Sequence, residues 1–140
     1  MATRQSTKTS DEGVTPKGLS VGLVAVSATY SVGAGLSLSA GDVIQMIKVP
    51  KGASVVYLAV SGGSGDALCA VGDGVDEDRY IAHGTMASAS SVVRTITLHA
   101  SNVPYVYSTD DTIDIAVSTV SVGTITGGFH LTAIFSMDVV

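Results

Sequence analysis

The stretch Phe129-His-Leu-Thr-Ala-Ile-Phe-Ser-Met137 decides the fold, because its apolar side chains recur at every second position. One face of the stretch carries Phe129, Leu131, Ala133, Phe135 and Met137, and the other carries His130, Thr132, Ile134 and Ser136. A period of two places alternate side chains on opposite faces of a β-strand. The stretch is therefore predicted to be a strand with one face in the core and with His130 pointing away from it.

A second stretch, Thr112–Ser118, alternates in the same way, with its apolar face formed by Ile113, Ile115 and Val117. Beyond Ser118 the apolar positions change parity and continue at Val120 and Val122. One extra residue in the strand restores the phase, since a shift of one position moves every side chain to the other face. The sequence therefore predicts a β-bulge or a sharp bend near Ser118-Thr119.

The composition favours β-structure along the whole chain. Among 140 residues there are 21 Val against 8 Leu and 2 Glu, and Val fits a pleated strand better than a helix. Apolar residues make up 46% and charged residues 14%, a balance that excludes a disordered chain and a long coiled coil. The length corresponds to a single domain.

Short apolar runs separated by Gly, Pro, Asp and Ser continue from Leu19 to the end of the chain. Strands at this spacing predict a β-sandwich or barrel over residues 19–140. Residues 1–18 are polar, lack apolar periodicity and are predicted to form a flexible arm. The arm is interpreted either as a frayed terminus or as a segment that becomes ordered on a neighbouring subunit.

The charge balance excludes several classes of partner. Seven basic residues against twelve acidic ones give a net charge of −5, so the basic surface expected of a nucleic-acid-binding protein is absent. No run of about 18 apolar residues is present, so no membrane span is expected. The N-terminus lacks the apolar stretch of a secretory signal, which favours synthesis in a reducing cytoplasm. The single cysteine, Cys69, has no partner for an internal disulfide and is predicted to be a small core residue.

Signs of catalysis in the sequence are weak. Gly18-Leu-Ser20-Val-Gly22 matches a hydrolase nucleophile pattern, but strand-forming residues follow it where that chemistry needs a helix. His83, His99 and His130 lack the spacing of a metal site, and only a cupin-like barrel would bring three such strands together. No catalytic residue and no cofactor are predicted.

Two clusters leave a choice between binding and structural roles. Asp73, Asp76 and Asp78 supply oxygens that would suit Ca²⁺, although the segment departs from the EF-hand order and also reads as a solvated turn. Tyr105 and Tyr107 share one face of a short run and are the best candidates for a sugar platform. The absence of Trp argues against a carbohydrate-binding module.

The segment Ser54–Val60 is apolar on both faces. Such a strand is predicted to be covered by the opposite sheet on one side and on the other by a second subunit, or by loops of the same chain. Val55 and Tyr57 are therefore candidate interaction residues.

Two longer segments resemble a known family. Leu38-Ser-Ala-Gly-Asp-Val-Ile-Gln-Met-Ile-Lys-Val-Pro-Lys-Gly-Ala53 is similar to a strand-and-turn segment of small structural proteins from tailed bacteriophages. Ala70-Val-Gly-Asp-Gly-Val-Asp-Glu-Asp-Arg-Tyr80 resembles a later segment of the same proteins, and the alternation after Asp110 fits their final strands. The resemblance extends over about residues 19–139 and identifies the head decoration, or cement, proteins and related virion components.

The resemblance implies a jelly-roll-like β-sandwich of about eight short strands. It also implies a non-enzymatic homotrimer, made in the host bacterial cytoplasm, that binds the major capsid protein on the outer surface of the head. Arg4, Lys8 and Lys17 of the arm are candidates for contact with an acidic capsid surface. Other virion parts, such as a head-fibre base, a tail component or a small jelly-roll shell protein, are the alternative, followed by a carbohydrate-binding sandwich.

Overall fold

The computed structural model describes residues 2–6, 22–33, 38–64, 67–85, 94–95, 105–120 and 126–137. These residues form strands and turns, and they include no helix long and apolar enough to cross a membrane. The strands are β1 Thr3–Gln5, β2 Gly22–Val32, β3 Val43–Val49, β4 Ala53–Ser64, β5 Ala67–Asp73, β6 Ile81–Thr85, β7 Arg94–Thr95, β8 Asp111–Val120 and β9 Thr126–Met137.

The strands form two sheets with the connectivity of a jelly roll. One sheet has the order β2-β9-β4-β7 and the other has the order β1-β3-β8-β5-β6. From β2 to β9 the chain passes repeatedly between the two sheets, and these eight strands give the double Greek key of the jelly roll. The predicted fold class is confirmed. β1 is an addition at the edge of the second sheet.

β9 lies between β2 and β4 and provides much of the core. It pairs antiparallel with both neighbours along most of its length. Its inward-facing side chains are at most 1% exposed: Phe129, Leu131, Ala133 and Phe135. His130 lies on the exposed opposite face, as the alternation predicted. The core is completed by side chains from the second sheet, including Ile44, Ile113 and Ile115.

Two β-bulges explain where apolar residues change face. In β8, Thr119 pairs with Leu68 and Val117 pairs with Cys69, so Ser118 is the extra residue and the predicted bulge is confirmed. In β4, Val55 pairs with Phe135 while Tyr57 pairs with Ile134, which makes Val56 the extra residue.

The sequence predicted that Ser54–Val60 is apolar because both faces of the strand are covered. The bulge at Val56 instead changes which of its residues face inward. The inward-facing positions are Ala53 and Val55 before the bulge, and Leu58 and Val60 after it, all at most 3% exposed. Val55 thus belongs to the core of its own chain and is not accessible to a partner. Tyr57, at 40% exposure, lies on the outer face.

A tight turn lies at each end of β3, one at Ser39–Asp42 and the other at Pro50–Ala53. Ala53 donates its N–H to the carbonyl oxygen of Pro50 at 3.2 Å, and Gly52 between them has a φ of +86°. A positive φ at this position is the requirement of a type II turn, which glycine meets without steric cost. At the other end, Asp42 accepts the N–H of Ser39 at 3.0 Å on its carboxylate.

Asp42 also holds β1 in place. β1 runs parallel to β3 from Thr3 opposite Val43 to Gln5 opposite Gln45. Asp42 accepts the N–H of Ala2 at 3.1 Å and lies 3.6 Å from the guanidinium of Arg4. Burial disfavours the charged carboxylate, but the backbone hydrogen bonds and the charge of Arg4 outweigh it and lower the pKa of Asp42.

The first part of the predicted arm is thus a strand on the chain's own sheet. Residues 3–5 show no apolar periodicity, because β1 is held on the sheet by backbone hydrogen bonds and one ion pair, and not by apolar side chains. Lys8 and Lys17 lie outside the described residues.

Cys69 is a core residue, as predicted, with no exposed surface. Burial raises the pKa of its thiol to about 11. The reactive thiolate is therefore scarce at neutral pH.

The loop after β5 folds back closely over Gly72. A Cβ atom built on Gly72 would meet the carbonyl oxygen of Asp76 at 2.0 Å and the carbonyl carbon of Glu77 at 2.4 Å. Both contacts are to backbone, so a side chain at this position must displace the loop. The glycine is a steric requirement of the β5–β6 connection.

We expect Gly72→Ala to lower the free energy of unfolding by about 1–3 kcal/mol, the cost typical of overpacking. Urea denaturation followed by circular dichroism measures the change. Gly74→Ala is the matched control, because its Cβ would meet only the movable carboxylate of Asp111, at 3.0 Å. Equal losses in the two variants would contradict the steric role of Gly72.

Candidate interaction surfaces

The segment Gly72–Tyr80 forms a hydrogen-bonded cluster at one end of the sandwich. The Asp73 carboxylate accepts hydrogen bonds from the guanidinium of Arg79 and from the N–H groups of Val75 and Asp76, the latter two at 3.0 and 2.9 Å. Burial disfavours the charged form of Asp73, but the hydrogen bond from Arg79 and the two amides outweigh it, so the pKa of Asp73 lies below its ordinary value.

Two tyrosines extend this cluster into the core. The hydroxyl of Tyr107 donates to Asp73 at 3.2 Å, and the hydroxyls of Tyr80 and Tyr107 lie 2.5 Å apart. Burial raises the pKa of both phenols, so both stay protonated. Because Tyr107 donates to Asp73, Tyr80 donates to Tyr107. The cluster joins the β5–β6 loop to the segment before β8.

The cluster gives Asp73 a structural role that involves no metal. Within the ranges that the structure describes, no three His, Cys, Asp or Glu side chains are grouped as a metal site requires. Asp76 lies 3.9 Å from Arg79, and Asp78 is exposed on the turn. Asp73, which the sequence offered as a Ca²⁺ ligand or as part of a solvated turn, is held in this turn by Arg79 and two backbone amides.

The described residues of the other candidate sites do not form a site in the structure. His83 lies on β6 and His130 on β9, in different sheets, and His99 is outside the described residues. Tyr107 is 2% exposed, and the guanidinium of Arg79 lies 3.8 Å above the ring of Tyr105. Tyr105 and Tyr107 therefore do not form an open platform for a sugar ring. Ser20 of the hydrolase pattern lies among the residues that the structure does not describe.

The four-stranded sheet has an uncharged outer face along the part formed by β2, β4 and β9. Its three long strands, β2, β4 and β9, contain no Asp, Glu, Lys or Arg, and His130 is their only ionisable residue besides tyrosine. Across this face the register aligns Ala25 with Ile134 and Tyr57 in one row, and Ser27 with Thr132 and Ala59 in the next. We call this surface the neutral face.

One end of the neutral face is apolar. Leu23 is 69% exposed and Tyr57 is 40% exposed. Val106, which pairs with Ser54 through an isolated β-bridge, is 57% exposed. A soluble surface normally interleaves charged residues of both signs, so an uncharged face that exposes large apolar side chains indicates a contact surface.

The outer face of the five-stranded sheet carries an acidic groove. The groove has a volume of about 390 Å³ and lies between β1 and the β5–β6 loop. Its walls include Thr3, Val43, Val75 and Ala116, and its acidic groups are Asp73, Glu77 and Asp114. We call this feature the acidic groove.

Asp114 is the unusual member of the groove. It is only 5% exposed, and among the described residues its Oδ1 atom has no hydrogen-bond partner. The pKa of Asp114 is raised from 3.8 to about 7, mainly because burial disfavours the charged carboxylate. A hydrogen bond from the side chain of Thr112 lowers the pKa, whereas the carboxylates of Asp111 and Asp73 raise it further. Alternation places Asp114 on the face opposite Ile113 and Ile115, and nothing in the local sequence signals that it is buried or that it lines a groove with the β5–β6 loop.

We expect Asp114 to make the protein more stable in mild acid. A pKa that is higher in the folded state favours folding below about pH 4, and this contribution is lost as the pH rises through about 7. The free energy of unfolding should therefore decrease between pH 5 and pH 8. Asp114→Asn should remove this decrease and stabilise the protein at pH 8 by up to about 4 kcal/mol.

Urea denaturation at several pH values measures the effect of Asp114. Asp78→Asn, which removes an equal charge from an exposed site, should retain the wild-type slope. Identical pH dependence in wild-type protein and Asp114→Asn would contradict the assignment.

Three solved structures that superpose on this chain are of phage capsids. A chain in the structure of the capsid of Ralstonia phage GP4 superposes with a TM-score of 0.77 over 99% of both chains, at 16% sequence identity. A chain of the cyanophage Pam1 capsid asymmetric unit gives 0.64 over 83% of this chain and 84% of that one, at 14% identity. A chain of the acidic stable capsid structure of Helicobacter pylori bacteriophage KHP30 gives 0.55 over 81% and 86%, at 14% identity.

What these chains share with the present one is the fold. No protein-family model matches the sequence, and no curated protein matches it.

Proposed function

We propose that this protein is a structural component of a bacteriophage virion, and specifically a decoration protein that binds the outside of the assembled head. The match to a chain of a phage capsid carries the proposal, since it covers 99% of both chains. The sequence resemblance to decoration proteins, which rests on the segments around β3 and β5, supports the same function.

A decoration protein acts through binding energy and performs no chemical reaction. A protein that binds the assembled shell but not its free subunits stabilises the assembled state by linkage. Such a protein needs a rigid scaffold and surfaces suited to repeated contact. The jelly roll supplies the scaffold, and the neutral face and the acidic groove are the candidate surfaces. The partner in this proposal is the major capsid protein, and the location is the surface of the head.

We assign the neutral face to contacts between copies of this chain, in a homotrimer. Each copy carries a net charge of −5, so copies repel one another least where the surface is uncharged. Exposed apolar residues at one end of the face, Leu23, Tyr57 and Val106, supply the area that association would bury. A trimer that contacts several sites on the head gains avidity even when each contact is weak.

We expect the purified protein to bind empty phage heads that lack their decoration protein. Binding should saturate, give symmetric density on the outer surface in cryo-electron microscopy, and raise the temperature at which the heads open. Density confined to a tail or fibre would favour the alternative virion roles. Closed particles formed by the protein alone would indicate a shell protein.

We expect Tyr57→Glu to weaken self-association by at least about tenfold, because a charge must then be desolvated on the neutral face. Sedimentation velocity at micromolar concentration measures the oligomer. Val75→Glu is the matched control, since Val75 is 82% exposed on the loop at the opposite sheet and the charge change is the same. A wild-type protein that remains monomeric would contradict the trimer, and equal weakening by the two variants would contradict the assigned face.

A further inference from the structure

We propose that the acidic groove binds the cationic end of a lysine or arginine side chain from the phage head, with Asp114 as the counter-ion. This inference rests on the proposed function and adds to it a specific site and the chemistry of the group that the site receives.

The unpartnered carboxylate oxygen is the first argument. Asp114 is 5% exposed, and its Oδ1 atom lacks a hydrogen-bond donor among the described residues. A buried carboxylate without a partner costs free energy, and a jelly roll does not need one to fold. A cationic N–H donor would satisfy the oxygen and offset the cost of burial.

Two arginines of the described residues pair with carboxylates other than Asp114. Arg79 is bound to Asp73, and Arg4 lies 3.6 Å from Asp42. None of the described residues that line the groove is Lys, Arg or His. Asp73 is paired with Arg79, whereas Asp114 and Glu77 have no Lys or Arg among the described walls of the groove, so a partner with a basic group has the matching charge.

The walls of the groove favour a side chain over a bare ion. The described carboxylates are not grouped as a metal site requires. The volume of about 390 Å³ exceeds what one ion fills. The apolar atoms of Val43, Val75 and Ala116 can pack along the methylene stem of a lysine or arginine, as these stems do on apolar surfaces while the charged end reaches a polar site. Asp114 and Glu77 then lie where the charged end would bind.

The charged groups around Asp114 affect how binding depends on pH. Asp73 on β5 and Asp111 on β8 raise its pKa, and Glu77 on the loop is hydrogen-bonded to His83 on β6 at 3.1 Å. β1 contributes Arg4, which lies beside Asp42, and β3 contributes the uncharged Gln45. A cation binds the ionised form of Asp114, so affinity for the head should increase as the pH rises from 5.5 to 8.5.

The experiment measures binding of the labelled full-length protein to isolated heads that lack decoration, at several pH values. We expect Asp114→Asn to weaken binding at pH 8 by at least about tenfold and to abolish its contribution to the pH dependence. Asp114→Asn should at the same time be as stable as wild-type protein or more so, which separates loss of binding from loss of folding. Glu77→Gln should weaken binding to a smaller extent.

Two controls distinguish the groove from general charge effects. Asp78→Asn removes an exposed carboxylate outside the groove and should bind like wild-type protein. His83→Gln should keep the pH dependence that Asp114 provides, because His83 is not among the described residues that line the groove.

The possible outcomes distinguish failure of the groove assignment from failure of the proposed virion function. A map of decorated heads with a basic side chain of the shell within about 4 Å of Asp114 would support the proposal directly. Equal affinity and equal pH dependence of wild-type protein and Asp114→Asn would overturn it while leaving the decoration function intact. Failure of every variant, including wild type, to bind heads would overturn both.

Discussion

The pairing of β9 along both of its edges is the interaction on which the rest of the domain depends. β2 pairs with it from Gly22 opposite Met137 to Val32 opposite Gly127, and β4 pairs with its other edge. The first strand, the third strand and the last strand of the jelly roll are thereby joined in one sheet. Since Phe129 and Phe135 lie on the inner face of β9 without exposed surface, this pairing also fixes which residues of the opposite sheet are covered.

The division between neutral and acidic surfaces follows from that arrangement. The three long strands joined at β9 carry none of the chain's Asp, Glu, Lys or Arg residues, so the charges of the described residues lie mainly on the five-stranded sheet and on the loops. An uncharged surface tolerates close contact with an identical surface, whereas an acidic one repels it. A single small domain thus presents two chemically different sides, suited to two different kinds of neighbour.

The sequence predicted those features that depend on period-two alternation. The inner face of β9 and the bulge at Ser118 were both visible, because a change of phase between apolar residues can be read directly. The bulge at Val56 was hidden, since apolar residues flank it on both faces. The hydrogen bond from Tyr107 to Asp73, which is 34 residues away in the sequence, can be identified only from the structure, where the loops are placed.

The candidate site was less predictable than the fold for the same reason. Asp114 reads as an ordinary outward-facing polar residue, and the loop residues that line the groove with it are distant from it in the sequence. Tyr57 was recognised because it stands in an apolar run. Val55, two positions away, was assigned to the same surface, but it faces inward because the bulge separates the two residues.

The enclosed thiol of Cys69 has a consequence for the conditions that this domain tolerates. A chain whose single thiol is buried is not readily cross-linked to its copies by air oxidation, and it forms no internal disulfide that glutathione could break. The thiol therefore forms no disulfide within the chain in either a reducing or an oxygenated medium. The stability of the described residues derives from packing, hydrogen bonds and ion pairs.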